Sequence, residues 1–186
     1  GGEWITAESL KLAGEICEGT VTNNLIEGVF EIDKQYYSGE NAPAFPPDFT
    51  QENLKKYLEP ESLIESDHPV LIAEARKITA DAKDSWQAAV LLSKWVGENI
   101  MGALPGGTSA INTYNTRLGE CGSHSRLLTA FCRAVGIPAR LSIGCMYISY
   151  AGGCFYQHAW TEVYMGDAGW KAVDDTAHEF DFVDAG

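Results

Sequence analysis

The chain has 186 residues, 45% of them hydrophobic and 21% charged, which suits one globular domain that buries a core, or one domain with a small appendage. Lys and Arg number 13 against 26 Asp and Glu, and the formal net charge of −13 argues against nucleic acid and anionic membrane surfaces as partners. Its apolar runs are only a few residues long, so no membrane insertion is expected.

Gly1-Gly2 reads as a cloning remnant, which leaves room for a targeting segment removed ahead of it; an extracytoplasmic or cell-surface setting is favoured. Residues 1–66 read as an N-terminal lead-in. "AESLKLAGEICEG" suggests a short helix, "LIEGVFEID" a strand, and the prolines of "NAPAFPPDF" a loop. "TQENLKKYLEP" is helical in character and is closed by Pro60.

Residues 67–186 carry a sharper pattern and read as the main domain. Pro69 opens a helix with apolar residues at Ile72, Ala75 and Ile78. A second helix starts at Asp84, with Gln87 in the capping-box position, and its apolar face runs Ala88/Ala89, Leu92, Trp95/Val96 and Ile100. Gly102, Pro105, Gly106 and Gly107 end it, and the stretch to Glu120 reads as a polar loop. A third helix is expected from about Cys121 to Val135, with Leu127/Leu128, Phe131 and Ala134/Val135 on its buried stripe. Arg133 suits its negative end, and Gly136 followed by Pro138 stops it.

The period then changes from 3.6 to 2. Leu141, Ile143 and Cys145 alternate with Ser142, Gly144 and Met146, and Gly152-Gly153 turns the chain. The next strand puts Tyr156, His158, Trp160 and Glu162 on one side and Ala159, Thr161 and Val163 on the other. After "MGDAG", Trp170, Ala172 and Asp174 share one side of a further strand. Helices followed by an antiparallel meander mean α+β.

Five cysteines leave at least one unpaired within the chain. Cys132 fits a buried helix face, Cys145 is expected on a buried strand face, and a Cys145–Cys154 disulfide across the glycine turn is conceivable in an oxidising compartment. Cys121 differs by position. It opens a helix, where unsatisfied N–H groups and the positive end of the dipole favour a thiolate, and Gly119 and Gly122 leave room beside it for a substrate backbone.

A nucleophile needs a base, and the base an orienter. If Tyr164 sits opposite Trp170 across the five-residue turn, His158 and Asp174 become diagonal neighbours on one sheet face; a two-residue shift sets them directly opposite. Asp175 points the other way, so Asp174 is preferred. A rival arrangement pairs Cys121-x-x-His124 with Cys154-x-x-x-His158 as a structural zinc set, but it gives Asp174 no role, and a chain with a real core needs no metal staple.

"RLGECGSHSRLLTAFCRAVGIPAR" resembles the nucleophile segment of the transglutaminase-like superfamily, with its Arg-x-Gly-x-Cys start and its Gly-Ile-Pro-Ala-Arg end. "HAWTEVYMGDAGWKAVDDT" is similar to that family's histidine and aspartate motifs, and the helices from Ser66 onward look like its lead-in. The resemblance covers roughly residues 67 to 176. It implies a papain-like, transglutaminase-core α+β fold, with the cysteine helix packed on an antiparallel sheet and a catalytic core at 67–186. It also implies Cys121 as nucleophile, His158 as base and Asp174 as orienting carboxylate. Asp175 stands where the family usually has proline, and His124 lies one turn beyond the nucleophile, placed to modulate it. The backbone N–H of Cys121 can point at a developing oxyanion, and the second donor is open between Asn115, Trp95 and Gln157.

The expected activity is acyl transfer at amide bonds of peptides or proteins through a thioester, with no cofactor and no metal. Hydrolysis, as in a cysteine protease or amidase, is preferred to crosslinking on family analogy alone. A catalytically silent binding module is the alternative from another class. Tyr156, Trp160 and Trp170 are expected either along a peptide groove or, for the two tryptophans, in the core.

Overall fold

The computed structural model describes residues 15–22, 25–32, 35–148, 153–174 and 182–183. Two compact units divide near Gln35. The first holds an antiparallel hairpin of β1 (Glu15–Thr22) and β2 (Leu25–Ile32), with Gly19 opposite Gly28. The strand expected at residues 25–33 is present, but the helix expected over residues 7–19 is not: its described part belongs to β1. Ile16, Thr20, Val21 and Thr22 are β-branched, and such residues prefer extended backbone when a partner strand is at hand. Residues 7–14 lie outside the described ones.

The second unit begins at Tyr36, the second residue of β3 (Gln35–Tyr36), and continues with a proline-rich loop and a short 3-10 helix at Glu52–Tyr57. Helices α1 (Pro69–Ile78) and α2 (Ser85–Asn99) follow. Each starts as its capping chemistry demands. His68 Nδ1 accepts from Val70 N–H, with Pro69 in the first helical position, and Asp84 accepts from Gln87 N–H at 2.7 Å. Gln87 Oε1 reaches back to Lys83 N–H, one residue earlier than the usual reciprocal box.

β4 (Met101–Gly102) pairs in parallel with β5 (Leu118–Gly119), and between them lies a helix, α3 (Ala110–Thr116). This corrects the expected polar loop. Seven residues are too few to show a helical period, but Ser109 caps the helix by accepting from Asn112 N–H, and Arg117 ends it in the left-handed region at φ 59°.

α4 (Cys121–Ala134) runs through the middle of the unit, with the other helices on one side and the sheet on the other. Leu127, Leu128, Ala130, Phe131 and Cys132 on it are fully buried, and they meet Leu71, Leu92, Val96, Val163 and Val173 in one core. Enclosure on all sides explains why even Ser123, His124, Ser125, Thr129 and Arg133 are buried. The helix stops where Gly136 takes φ +86°, a conformation that costs glycine little.

The sheet is antiparallel, in the order β6 (Ala139–Ile148), β7 (Cys154–Tyr164), β8 (Trp170–Val173). Tyr164 faces Trp170 and Thr161 faces Val173, the register that the five-residue turn implies. A final short strand, β9, covers Phe182–Val183. The fold is α+β, with the cysteine helix laid on an antiparallel sheet. Among the described residues, no helix is long and apolar enough to cross a membrane.

One strand expectation fails. Cys145 is exposed, as is Ile143 at 62%, because that end of the hairpin runs past the helix that would have covered it. The Cys145 thiol is free. Its register partner is Gln157, whereas Cys154 faces Ile148, so no Cys145–Cys154 bridge forms.

Candidate active site

The start of α4 is fixed from both sides. Met101 N–H donates to Arg117 O, Ala103 N–H to Gly119 O, and Gly107 N–H to Leu118 O, so the strand before the helix is held against the 101–107 segment. Gly119 is closely invested: a Cβ there would lie 2.8 Å from Ser123 Cβ and 3.0 Å from His124 Cδ2. The cap is Glu120, a residue the sequence reading passed over. Its carboxylate accepts from Gly122 N–H at 2.6 Å, Ser123 N–H at 3.0 Å and Ser123 Oγ at 2.7 Å. Burial pushes this carboxyl up, but the hydrogen bonds from Ser123, Gly122 and Cys121 outweigh it and hold the group below the usual carboxylate range.

Cys121, half-buried, therefore sits at the first position of a capped helix, and its thiol points to Glu120 Oε2 at 3.6 Å. A second tether runs to the sheet. Ser125 Oγ lies 2.8 Å from Cys121 O and 3.0 Å from Ala159 O, and Thr161 Oγ1 donates to Ser125 O at 3.1 Å. One buried hydroxyl thus braces the cysteine's backbone against the residue next to His158.

His158 on β7 and Asp174, the residue just after β8, are both buried, and His158 Nε2 hydrogen-bonds Asp174 Oδ2. The ring is pushed up to about 10, first by the Asp174 hydrogen bond and then by one with Cys121, with burial pulling the other way. Since Nε2 is committed to Asp174, Nδ1 is the nitrogen left to meet the thiol. Trp160 stacks near the imidazole, with centroids 6.3 Å apart and planes 24° apart. The structure thus brings Cys121, His158 and Asp174 together, while Asp175 lies outside the described residues.

Cys121 and His158 border a cleft of about 320 Å³, open to solvent, whose walls include Gly122, Leu141, Ile143 and Gln157, while Asp174 lies buried behind the ring. The aromatic lining that the sequence suggested is absent from it. Trp170 packs against Tyr57, Tyr164 and Arg140 instead, and Tyr156 is 52% exposed outside the cleft. Of the three side chains considered as oxyanion donors, Gln157 lines the cleft. Trp95 packs among Tyr114, Phe131 and Arg117, and Asn115 is exposed on α3. His124 is buried one turn into α4, beside Gly119. Among the described residues, no three His, Cys, Asp or Glu side chains gather to hold a metal ion. The remaining described thiol, Cys132, is pushed up to about 12 by burial and is chemically quiet.

Residues 72–175 match the family described as the transglutaminase-like superfamily. Among solved structures, a Cytophaga hutchinsonii protein described as "a Putative Cysteine Protease" is 26% identical, with a TM-score of 0.59, over 68% of this chain and 43% of that one. The periplasmic domain of TgpA from Pseudomonas aeruginosa is 24% identical, with a TM-score of 0.52, over 69% of this chain and 48% of that one. The same domain bound to ethylmercury is 26% identical, with a TM-score of 0.50, over 66% and 48%. The chain spans less than half the length of each of these relatives. No curated protein matches it. The family match takes in more than half of the sequence, and the chain belongs to the transglutaminase-like superfamily.

Proposed function

We propose that this domain is a cysteine-nucleophile acyl-transfer enzyme that opens amide bonds of peptides or proteins, with water as the acceptor. The observation that carries the reading is the convergence of a helix-start thiol and an Asp174-held imidazole on one open cleft. A ring that keeps its proton up to about 10 is ready to give it to a leaving nitrogen. The thiolate of Cys121 attacks the amide carbon, forming the S–C bond. As the C–N bond breaks, His158 gives its proton to the leaving nitrogen, and a thioester remains. His158 then takes a proton from water, the new C–O bond forms, the S–C bond breaks, and thiolate and imidazolium are restored. Asp174 holds the ring throughout. The Cys121 N–H at the helix start and the Gln157 amide are the donors offered to the oxyanion.

The likeness to a protein described as "a Putative Cysteine Protease" supports water over an amine as acceptor. The likeness to a periplasmic domain supports a place outside the cytoplasm. A peptide pool from digested casein, incubated with the wild type and with Cys121→Ala, tests the chemistry by mass spectrometry. New peptides that have gained water, and only with the wild type, are expected. Products that join peptides with loss of ammonia would instead make it a crosslinking enzyme. If neither kind forms and iodoacetamide alkylates Cys121 no faster than Cys145, the catalytic reading is overturned.

A further inference from the structure

A second recess, of about 460 Å³, adjoins the cleft and shares Arg126 and Leu141 with it. Its walls include Arg126, Arg133 and Arg140, three guanidiniums gathered in a chain whose formal net charge is −13. Two of them are committed. Arg133 is buried and donates to Ala139 O and Glu59 O while pairing with Glu61 at 2.7 Å. Arg140 pairs with Glu162 and lies over the Trp170 ring. Arg126 differs. Its side chain is 26% exposed, and among the described residues its one ion pair is with Glu120 at 3.9 Å, beyond hydrogen-bonding distance. A guanidinium carries five donors in a planar fork, so Arg126 keeps donors to offer at the seam between the two recesses. A Cβ built on Gly122 would lie 3.5 Å from Arg126 Nη2, so the fork reaches the residue next to the nucleophile.

We propose that Arg126 is a specificity-determining residue that receives a carboxylate of the substrate, so that the peptides preferred by the Cys121 cleft carry an acidic group close to the amide under attack. This rests on the acyl-transfer reading and names its substrate class. The shared chemistry is a carboxylate, supplied either by an Asp or Glu side chain or by the end of a peptide chain. A fork–carboxylate contact is stronger and more directional than a neutral one. In a strongly acidic protein it also offers an anionic substrate a local positive charge beside the cleft.

The test compares alkylation by iodoacetate, which is anionic, with iodoacetamide, its neutral counterpart, and reads Cys121 against Cys145 in the same molecule. The ratio of the two rates is expected to be about tenfold higher at Cys121 than at Cys145. Arg126→Gln should bring that ratio down to the Cys145 value, and Arg126→Lys should fall between. Equal ratios in the wild type, or a ratio indifferent to Arg126→Gln, overturn the proposal. Failure of the acyl-transfer reading shows separately, as slow iodoacetamide labelling of Cys121 itself. End-blocked pentapeptides then distinguish the sources through protection of Cys121 from iodoacetamide. Protection by a Glu-containing but not a Gln-containing peptide assigns a side chain, and protection by a free but not an amidated C-terminus assigns a chain end. Protection by neither removes a peptide carboxylate as the ligand and overturns the proposal.

Discussion

The Cys121 thiol faces the carboxylate of Glu120 at 3.6 Å, so the residue that caps the helix also sets a negative charge beside the sulfur. That carboxylate opposes a thiolate, whereas the helix start and the His158 ring favour one. Glu120→Gln keeps an acceptor for the cap and removes the charge. Alkylation of Cys121 by iodoacetamide at neutral pH is expected to quicken several-fold, while denaturant melts show a loss of about 1 kcal/mol from the weakened cap. Unchanged or slower alkylation would mean that the carboxylate acts on the thiol only through structure.

The pH dependence of stability has a definite sign. The His158 ring goes from an ordinary 6.5 to about 10 on folding, so the folded state holds the extra proton more tightly. Its contribution is complete below 6.5 and is lost as pH rises through 10. Urea midpoints of the wild type and of His158→Gln should therefore converge as the pH is raised across that window. A constant gap between the two would show that the ring is not held as an imidazolium.

Ser125 carries no chemistry of its own, yet its hydroxyl bridges Cys121 O and Ala159 O. Ser125→Ala is expected to cost about 1 kcal/mol of stability and to lower kcat more than KM, because the sulfur and the ring lose their common brace. Ser125→Thr, if its hydroxyl occupies the same place, should restore much of the rate. Equal losses in both variants would point to packing alone.

Gly144 stands directly across from His158 in the β6–β7 ladder, and a Cβ there would meet Trp160 Cη2 at 2.7 Å. Gly144→Ala must displace the indole that stacks near the imidazole. Overpacking of this kind costs about 1–3 kcal/mol, and turnover is expected to fall with it. Gly102→Ala, whose Cβ meets nothing within 4 Å, is the matched control and should leave both quantities nearly unchanged.

Much of this arrangement was legible in the sequence because parity and turn length leave few choices. A five-residue turn between Tyr164 and Trp170 puts His158 and Asp174 on one face, and glycines beside a helix-start cysteine mark an accessible thiol. Features that depend on distant segments were not legible. α3 is too short for a period to show, the exposure of Cys145 depends on where a helix from elsewhere in the chain ends, and the hairpin at residues 15–32 needs its partner strand to beat a helical pattern. Glu120, Ser125 and Arg126 look like ordinary helix residues until the sheet and the 57–64 segment are laid beside them. Glu120 alone carried a signal, since an acidic residue just before a helix is a good cap.

Arg133 ties the end of its own helix and the start of β6 to the 59–61 segment, which lies 74 residues away at Glu59. Its guanidinium, 2% exposed, bonds Ala139 O, Glu59 O and the Glu61 carboxylate. A fragment trimmed to the family-matching residues 72–175 would forfeit the last two and leave this guanidinium with one of its three acceptors. Stranding a charge in this way costs about 3–5 kcal/mol, a large part of what holds a small domain together. Any shortened version meant to stay folded must therefore begin upstream of Glu59, in a stretch that carries none of the reactive groups.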